Sequence, residues 1–199
     1  MRTLFAFDLD GTVTRAEILP AIARAAGVFD EMSRLTALTL DGALDFESSF
    51  RQRFDLLRRI PPAEVRRITA AVPLDPEIEA FIAENKARCA IVTGNLDCWI
   101  SPLAERLGCA IHSSRSAEDD GGLSLVSVLR KGPCIERLRR QDRYVVAIGD
   151  GANDIPMLLA ADYGIAFGGL REPARGLLAV ADRTERDASS LCRFLRSFM

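Results

Sequence analysis

Two aspartates one residue apart, Asp8 and Asp10, close the apolar run Leu4-Phe5-Ala6-Phe7 and are followed at once by Gly11 and Thr12. Such a run reads as a buried strand. Strand side chains alternate, so Leu4, Ala6, Asp8 and Asp10 start out on one face and Phe5, Phe7 and Leu9 on the other. The strand therefore delivers two carboxylates to its C-terminal end, where Gly11 lets the backbone turn. Carboxylates this close repel each other unless a cation or a proton sits between them. Their hard oxygens suit a hard cation, which points to Mg²⁺. A competing reading is that the pair only ends a strand and caps a helix, and this stretch alone does not decide.

Three further groups bear on that choice. The apolar run Cys89–Val92 ends in Thr93-Gly94-Asn95, and the run Tyr144–Ile148 enters Gly149-Asp150-Gly151-Ala152-Asn153-Asp154. Lys131 opens a helix, with Gly132-Pro133 behind it, and only one other lysine, Lys86, stands among the 26 basic residues. No histidine or cysteine belongs to this set. The single histidine, His112, lies in a short apolar stretch and reads as packed structure. The set suits phosphoryl transfer to a carboxylate: nucleophile and phosphate monoester are both anions, and Mg²⁺ with Lys131 supplies the opposing charge. The Thr93 hydroxyl and the amides near Gly94 and Gly11 are suited to hold phosphoryl oxygens.

The elements that must position these groups follow from periodicity. Helices are expected over Ala16–Ala26 with Glu17 in the first turn, over Phe29–Leu40 with a stop at Asp41-Gly42, over Asp45–Ile60, and over Ala63–Val72 after Pro61-Pro62. Residues 16–73 thus read as an all-helical subdomain, placed as a lid, within a catalytic core of residues 1–15 and 74–199. From Pro76 short apolar strands alternate with helices. Strands are expected at Cys89–Val92, Cys109–His112, Leu123–Val128 after the hairpin signal Asp119-Asp120-Gly121-Gly122, Tyr144–Ile148, Tyr163–Phe167 and 179–182. Helices are expected to include one near 171–178 and one from Ala188. This alternation predicts a Rossmann-like three-layer α/β/α core with a parallel sheet. In such sheets chemistry gathers at the C-terminal strand ends, where Asp8, Asp10, Thr93 and Asp150 all fall.

Composition narrows the class. The chain has 199 residues, 48% of them hydrophobic, and a net charge of −2. That length is one domain with room for an insertion. Without a basic excess, neither nucleic acid nor an anionic membrane surface is an expected partner. Apolar runs are too short to span a bilayer, and Asp8 and Asp10 interrupt the one early apolar stretch that a signal peptide would need. Five cysteines with no C-x-x-C spacing fit reduced thiols in a cytoplasm. The chain is expected as a monomer or homodimer.

Asp8-Leu9-Asp10-Gly11-Thr12, Thr93-Gly94, Lys131 and Gly149-Asp150-Gly151-Ala152-Asn153-Asp154 resemble, in order, the four motifs of the haloacid dehalogenase superfamily. The resemblance implies that Asp8 is the nucleophile and forms an aspartyl-phosphate. Asp10 would protonate the leaving oxygen and then take a proton from water. Mg²⁺ would lie among Asp8, the Asp10 carbonyl and Asp150, with Asp154 supporting the metal or Lys131 and Asn153 contacting substrate.

The segment from Gly42 to Arg53 is similar to the cap of phosphoserine phosphatases. The likeness implies that Glu17, Phe46 and Arg53 bind the amino-acid part of a small phosphorylated metabolite. An arginine fork suits an α-carboxylate. In the second motif Thr93-Gly94-Asn95 departs from the usual serine followed by two glycines, and 109–130 also departs. The expected activity is hydrolysis of L-phosphoserine. The alternatives are another small phosphomonoester, or transfer to an alcohol such as homoserine.

Overall fold

A computed structural model describes residues 2–40, 43–120, 122–141 and 143–199. The expected stop at Asp41-Gly42 and the Gly121 position of the hairpin signal lie outside the described residues. The chain opens with β1 (Arg2–Phe7), then four helices, α1 (Ile18–Ala25), α2 (Phe29–Leu40), α3 (Phe46–Leu57) and α4 (Pro62–Ala70). There follow α5 (Pro76–Glu84), β2 (Cys89–Leu96), α6 (Asp97–Leu107), β3 (Ala110–Asp119), β4 (Gly122–Ser127) and α7 (Lys131–Arg139). The last third comprises β5 (Arg143–Gly149), α8 (Ile155–Ala160), β6 (Tyr163–Phe167), α9 (Arg175–Leu178), β7 (Arg183–Glu185) and α10 (Ala188–Arg196).

The seven strands form one sheet in the order β4-β3-β2-β1-β5-β6-β7, parallel except for β4, which returns antiparallel on β3. The expected Rossmann-like α/β architecture is the one observed. β1 sits in the middle, between β2 and β5. Its alternation feeds two cores. Phe5 and Phe7 pack with α5, α6 and α10 on one face, and both rings meet Phe81 edge-on. Leu4 and Ala6 pack with α7, α8 and α9 on the other.

The chain leaves and re-enters this sheet at one point. Thr14 and Leu74 form an antiparallel bridge, the Arg15 amide donates to the Pro73 carbonyl at 2.8 Å, and the Asp75 amide donates to the Val13 carbonyl at 2.8 Å. Asp75 also caps α5 by accepting from the amides of Glu77 and Ile78, and it pairs with Arg15 at 2.9 Å. Helices α1–α4 lie between those two crossings. They pack on the rest mainly where α4 lies against α6, and Phe54 of α3 adds a stacked contact with Trp99 of α6 at 5.9 Å, so apolar contact continues from sheet to helices.

Four elements differ from expectation. β2 runs on through Thr93-Gly94-Asn95 to Leu96, with a register shift between Val92 and Leu96. β3 extends seven residues past His112, because its outer half is held by β4 as a half-exposed hairpin. The expected helix over 171–178 shrinks to α9, and the expected strand over 179–182 moves to β7. Pro173 disfavours a helical backbone at Glu172 before it, and α9 starts only after Ala174.

Candidate active site

The loop after β1 is built from its own sequence. The Leu9 carbonyl accepts from the amides of Val13 and Thr14, and the Gly11 amide donates to the Thr14 hydroxyl at 3.3 Å. Gly11 adopts φ +74°, and a Cβ there would lie 2.5 Å from Asp150 Oδ2. Glycine is required on both counts: for the left-handed backbone and for the close approach of a carboxylate.

Lys131 binds this loop to the far motif. Its ammonium donates to both Asp8 and Asp154, and all three side chains are buried. Asp154 is oriented through its second oxygen, which accepts from the amides of Asp150 and Gly151 at 3.1 and 3.0 Å. Burial alone would lower the Lys131 pKa, but the carboxylates of Asp154 and Asp8 outweigh it and hold the amine charged. Burial, and then the neighbouring Asp154, push Asp8 well above the ordinary carboxylate range despite Lys131.

Asp8, Asp150 and Asp154 each offer an oxygen within 4.8 Å of the others. Asp150 Oδ1 is buried and accepts no hydrogen bond among the described residues. A cluster of hard oxygens with an orphaned lone pair fits a small divalent cation such as Mg²⁺. The Asp10 carboxyl faces elsewhere. Its Oδ1 accepts from the Ile18 amide at 2.7 Å, and its Oδ2 accepts from the Asn95 side-chain amide. Burial and then Glu17 raise its pKa to about 7, against the two donors. Burial also raises Asp150 to about 6, against the pull of Arg171.

These shifts set a pH dependence of stability. Asp10 and Asp150 are raised above the ordinary 3.8, so the folded protein holds protons that the unfolded chain has released. Stability of the metal-free protein therefore rises as pH falls through the window from about 7 to about 4. His112, lowered by burial and then by Arg137 and Arg143, acts in the opposite sense but is one group against three carboxylates. Metal-free protein is expected to melt a few degrees higher at about pH 5.5 than at about pH 7.5. Added Mg²⁺, which favours the ionised acids, should raise the melting temperature at the higher pH and flatten the difference.

The other expected residues have the following surroundings. The Thr93 hydroxyl is buried and accepts from the Asn95 amide at 3.1 Å; the Thr12 hydroxyl is buried without a partner among the described residues. Phe46, first residue of α3, lies against Gly94, where a Cβ would come within 2.6 Å of its ring. A cleft of about 460 Å³ opens beside Lys131, with Phe46, Leu129 and Asn153 in its walls. Arg53 is half-buried, donates to the Thr36 hydroxyl at 3.2 Å, and has an Nε with no partner among the described residues. Glu17 is the residue just before α1 rather than part of its first turn, since the helix starts where Ile18 donates to Asp10.

Two residues make contacts in the site that the sequence pattern does not predict. Asn95 serves Asp10 directly, which identifies what the unusual residue of the second motif touches. Arg171, expected inside a helix, lies in the loop before α9 and pairs with Glu17 at 2.7 Å and with Asp150 at 3.0 Å. One signal for it was present: Gly168-Gly169 ahead of it and Pro173 behind it mark a loop, not a helix.

The family model described as haloacid dehalogenase-like hydrolase matches residues 5–159. A phosphoserine phosphatase of Methanocaldococcus jannaschii is 32% identical over 180 residues, covering 83% of this chain and 85% of the relative. One from Archaeoglobus fulgidus is 31% identical over 180 residues, and there the match covers 83% of this chain but only 52% of the relative's length. Among solved structures, a phospho-aspartyl intermediate analogue of phosphoserine phosphatase superposes with a TM-score of 0.80 at 30% identity, covering 97% of this chain and 98% of that one.

Proposed function

The chain belongs to the haloacid dehalogenase-like hydrolase family and is phosphoserine phosphatase-like within it, and we propose that it is a Mg²⁺-dependent phosphatase that hydrolyses L-phosphoserine through an aspartyl-phosphate at Asp8. The observation that carries this reading is the division of labour between two aspartates two positions apart. Asp8 sits on Lys131 inside the cation-binding cluster, whereas Asp10 is held outside it by Ile18 and Asn95 with a pKa of about 7.

In the first step an Asp8 oxygen attacks phosphorus and the ester oxygen leaves. Lys131 opposes the charge that builds as two anions meet. Asp10 gives its proton to the leaving oxygen, which a carboxyl poised near neutrality does well. In the second step the same carboxylate takes a proton from water as the water attacks the Asp8 phosphate. The two donors on Asp10 favour this ionised form and hold its orientation. Bound Mg²⁺ would lie on Asp8, Asp150 and the Asp10 carbonyl, with Asp154 behind, and would supply Lewis-acid neutralisation of phosphoryl oxygens.

Residues 16–73 serve as a cap in this reading. Phe46 closes over Gly94 and excludes water, Arg53 receives the substrate carboxylate, and Glu17 receives its ammonium. The Arg53 Nε without a partner among the described residues supports its part in that assignment, and the cleft that Phe46 shares with Lys131 supports the part of Phe46. A second substrate, a small phosphomonoester without an amino group, is favoured by one observation: Glu17 is already paired with Arg171.

The test is phosphate release from a panel of amino-acid, sugar and choline phosphates, with and without Mg²⁺. Phosphoserine should lead the panel. Arg53→Lys should raise KM for phosphoserine about tenfold or more, the scale of a lost charged hydrogen bond. It should leave phosphocholine, which has no carboxylate, little changed. A panel led by a sugar phosphate, with phosphoserine inert, would remove the substrate assignment.

A further inference from the structure

One side chain touches both halves of the site. The loop carrying Arg171 is fixed close to the cation cluster: the Ala174 amide donates to the Asp150 carbonyl at 3.0 Å. At its start Gly169 has no room for a Cβ, which would fall 2.3 Å from the Phe167 ring, so the chain bends tightly there. From this loop the guanidinium spans two carboxylates. One is Asp150 of the cation cluster; the other is Glu17 at the start of α1. The Arg171 side chain is 52% exposed, whereas that of Asp150 is 1% exposed. So solvated a cation contributes little to stability and leaves easily. Its charge nevertheless lies where a divalent ion and a substrate ammonium would each need a free carboxylate.

We propose that Arg171 is a specificity-determining residue that couples cation binding at Asp150 to ammonium recognition at Glu17. In the substrate-free protein it occupies both carboxylates. A cation arriving at Asp150 displaces one end of the fork, which weakens the hold on Glu17. An ammonium arriving at Glu17 displaces the other end, which exposes Asp150. Each ligand thereby removes the competitor of the other, and the coupling is reciprocal. A phosphate ester without an amino group lacks this second displacement and gains nothing from it. The ammonium half of the proposal rests on the reading of Glu17 given above; the cation half does not.

Mn²⁺ serves as the probe, with the free ion counted by electron paramagnetic resonance in titrations of the full chain. Without substrate, Arg171→Gln should bind Mn²⁺ about fivefold or more tighter than the parent protein, within the usual range of coupling between sites. The non-hydrolysable phosphonate analogue of phosphoserine should tighten Mn²⁺ binding to the parent more than the same phosphonate lacking its amino group does. That amino-specific gain should vanish in Arg171→Gln. Arg171→Lys, which keeps a charge but cannot span both carboxylates, should lose it as well while retaining part of the opposition to Mn²⁺. Equal Mn²⁺ affinity in parent and Arg171→Gln overturns the proposal, as does an amino-specific gain that survives the substitution. If phosphoserine is not turned over while both Mn²⁺ results hold, the substrate assignment falls and the coupling stands.

Discussion

Lys131→Met is expected to cost the protein both its turnover and a large part of its stability. The lysine is buried between Asp8 and Asp154, and Asp150 is close by. Removing the amine leaves three clustered carboxylates whose one paired cation among the described residues is the solvated Arg171. Breaking a buried pair by deleting one partner costs about 3–5 kcal/mol. With two carboxylates stranded, the upper end applies. At about 2–4 °C for each kcal/mol in a protein of this size, the melting temperature should fall by roughly 10 °C or more. Chemical denaturation of metal-free protein near neutral pH measures it. Saturating Mg²⁺ should restore part of the stability, because it neutralises the same acids. Phosphate release should stay low, because no fixed amine then faces the attacking carboxylate.

Asp8→Asn should separate what Lys131→Met confounds. With the proposed nucleophile gone, phosphate release should fall by roughly a thousandfold or more, as when a group that forms the covalent intermediate is deleted. Folding should not suffer. The Asp8 charge is disfavoured by its own burial and by Asp154, and Lys131 keeps Asp154 as its partner after the change. The metal-free variant should therefore melt at the same temperature as the parent or higher. The two measurements together check the assignment: loss of activity with a lowered melting temperature would mean that Asp8 holds the fold, not the chemistry.

What could be read in advance had a short-range cause. Asp8, Thr93 and Asp150 each directly follow a short apolar run, and alternation along β1 separated the Phe5 and Phe7 core from the Leu4 and Ala6 core. β6 and the start of α10 lie where their patterns put them. What escaped had long-range causes. The stretch Arg115–Asp119 has no β-branched residue, and it is a strand because β4 comes back alongside it. Asn95 looked like a substitution in a motif, but its amide reaches Asp10, 85 residues earlier. Arg171 is one arginine among many in the sequence, and only the fold brings it between Glu17 and Asp150. Local pattern placed the carboxylates and Lys131; Asn95 and Arg171 as their further partners are brought there by the fold.

The place of β1 in the sheet bears on synthesis. It leaves the ribosome before any of its neighbours, yet it pairs with β2 and with β5, so its second flank stays open until about residue 149 has been made. An unpaired apolar strand on a nascent chain is a template for aggregation. Asp8 and Asp10 stand at the end of that strand, and before Lys131 is translated they are bare negative charges. Two such acids act as gatekeepers against strand-to-strand association between nascent chains. The residues proposed to do the chemistry would thus protect the polypeptide before there is an enzyme.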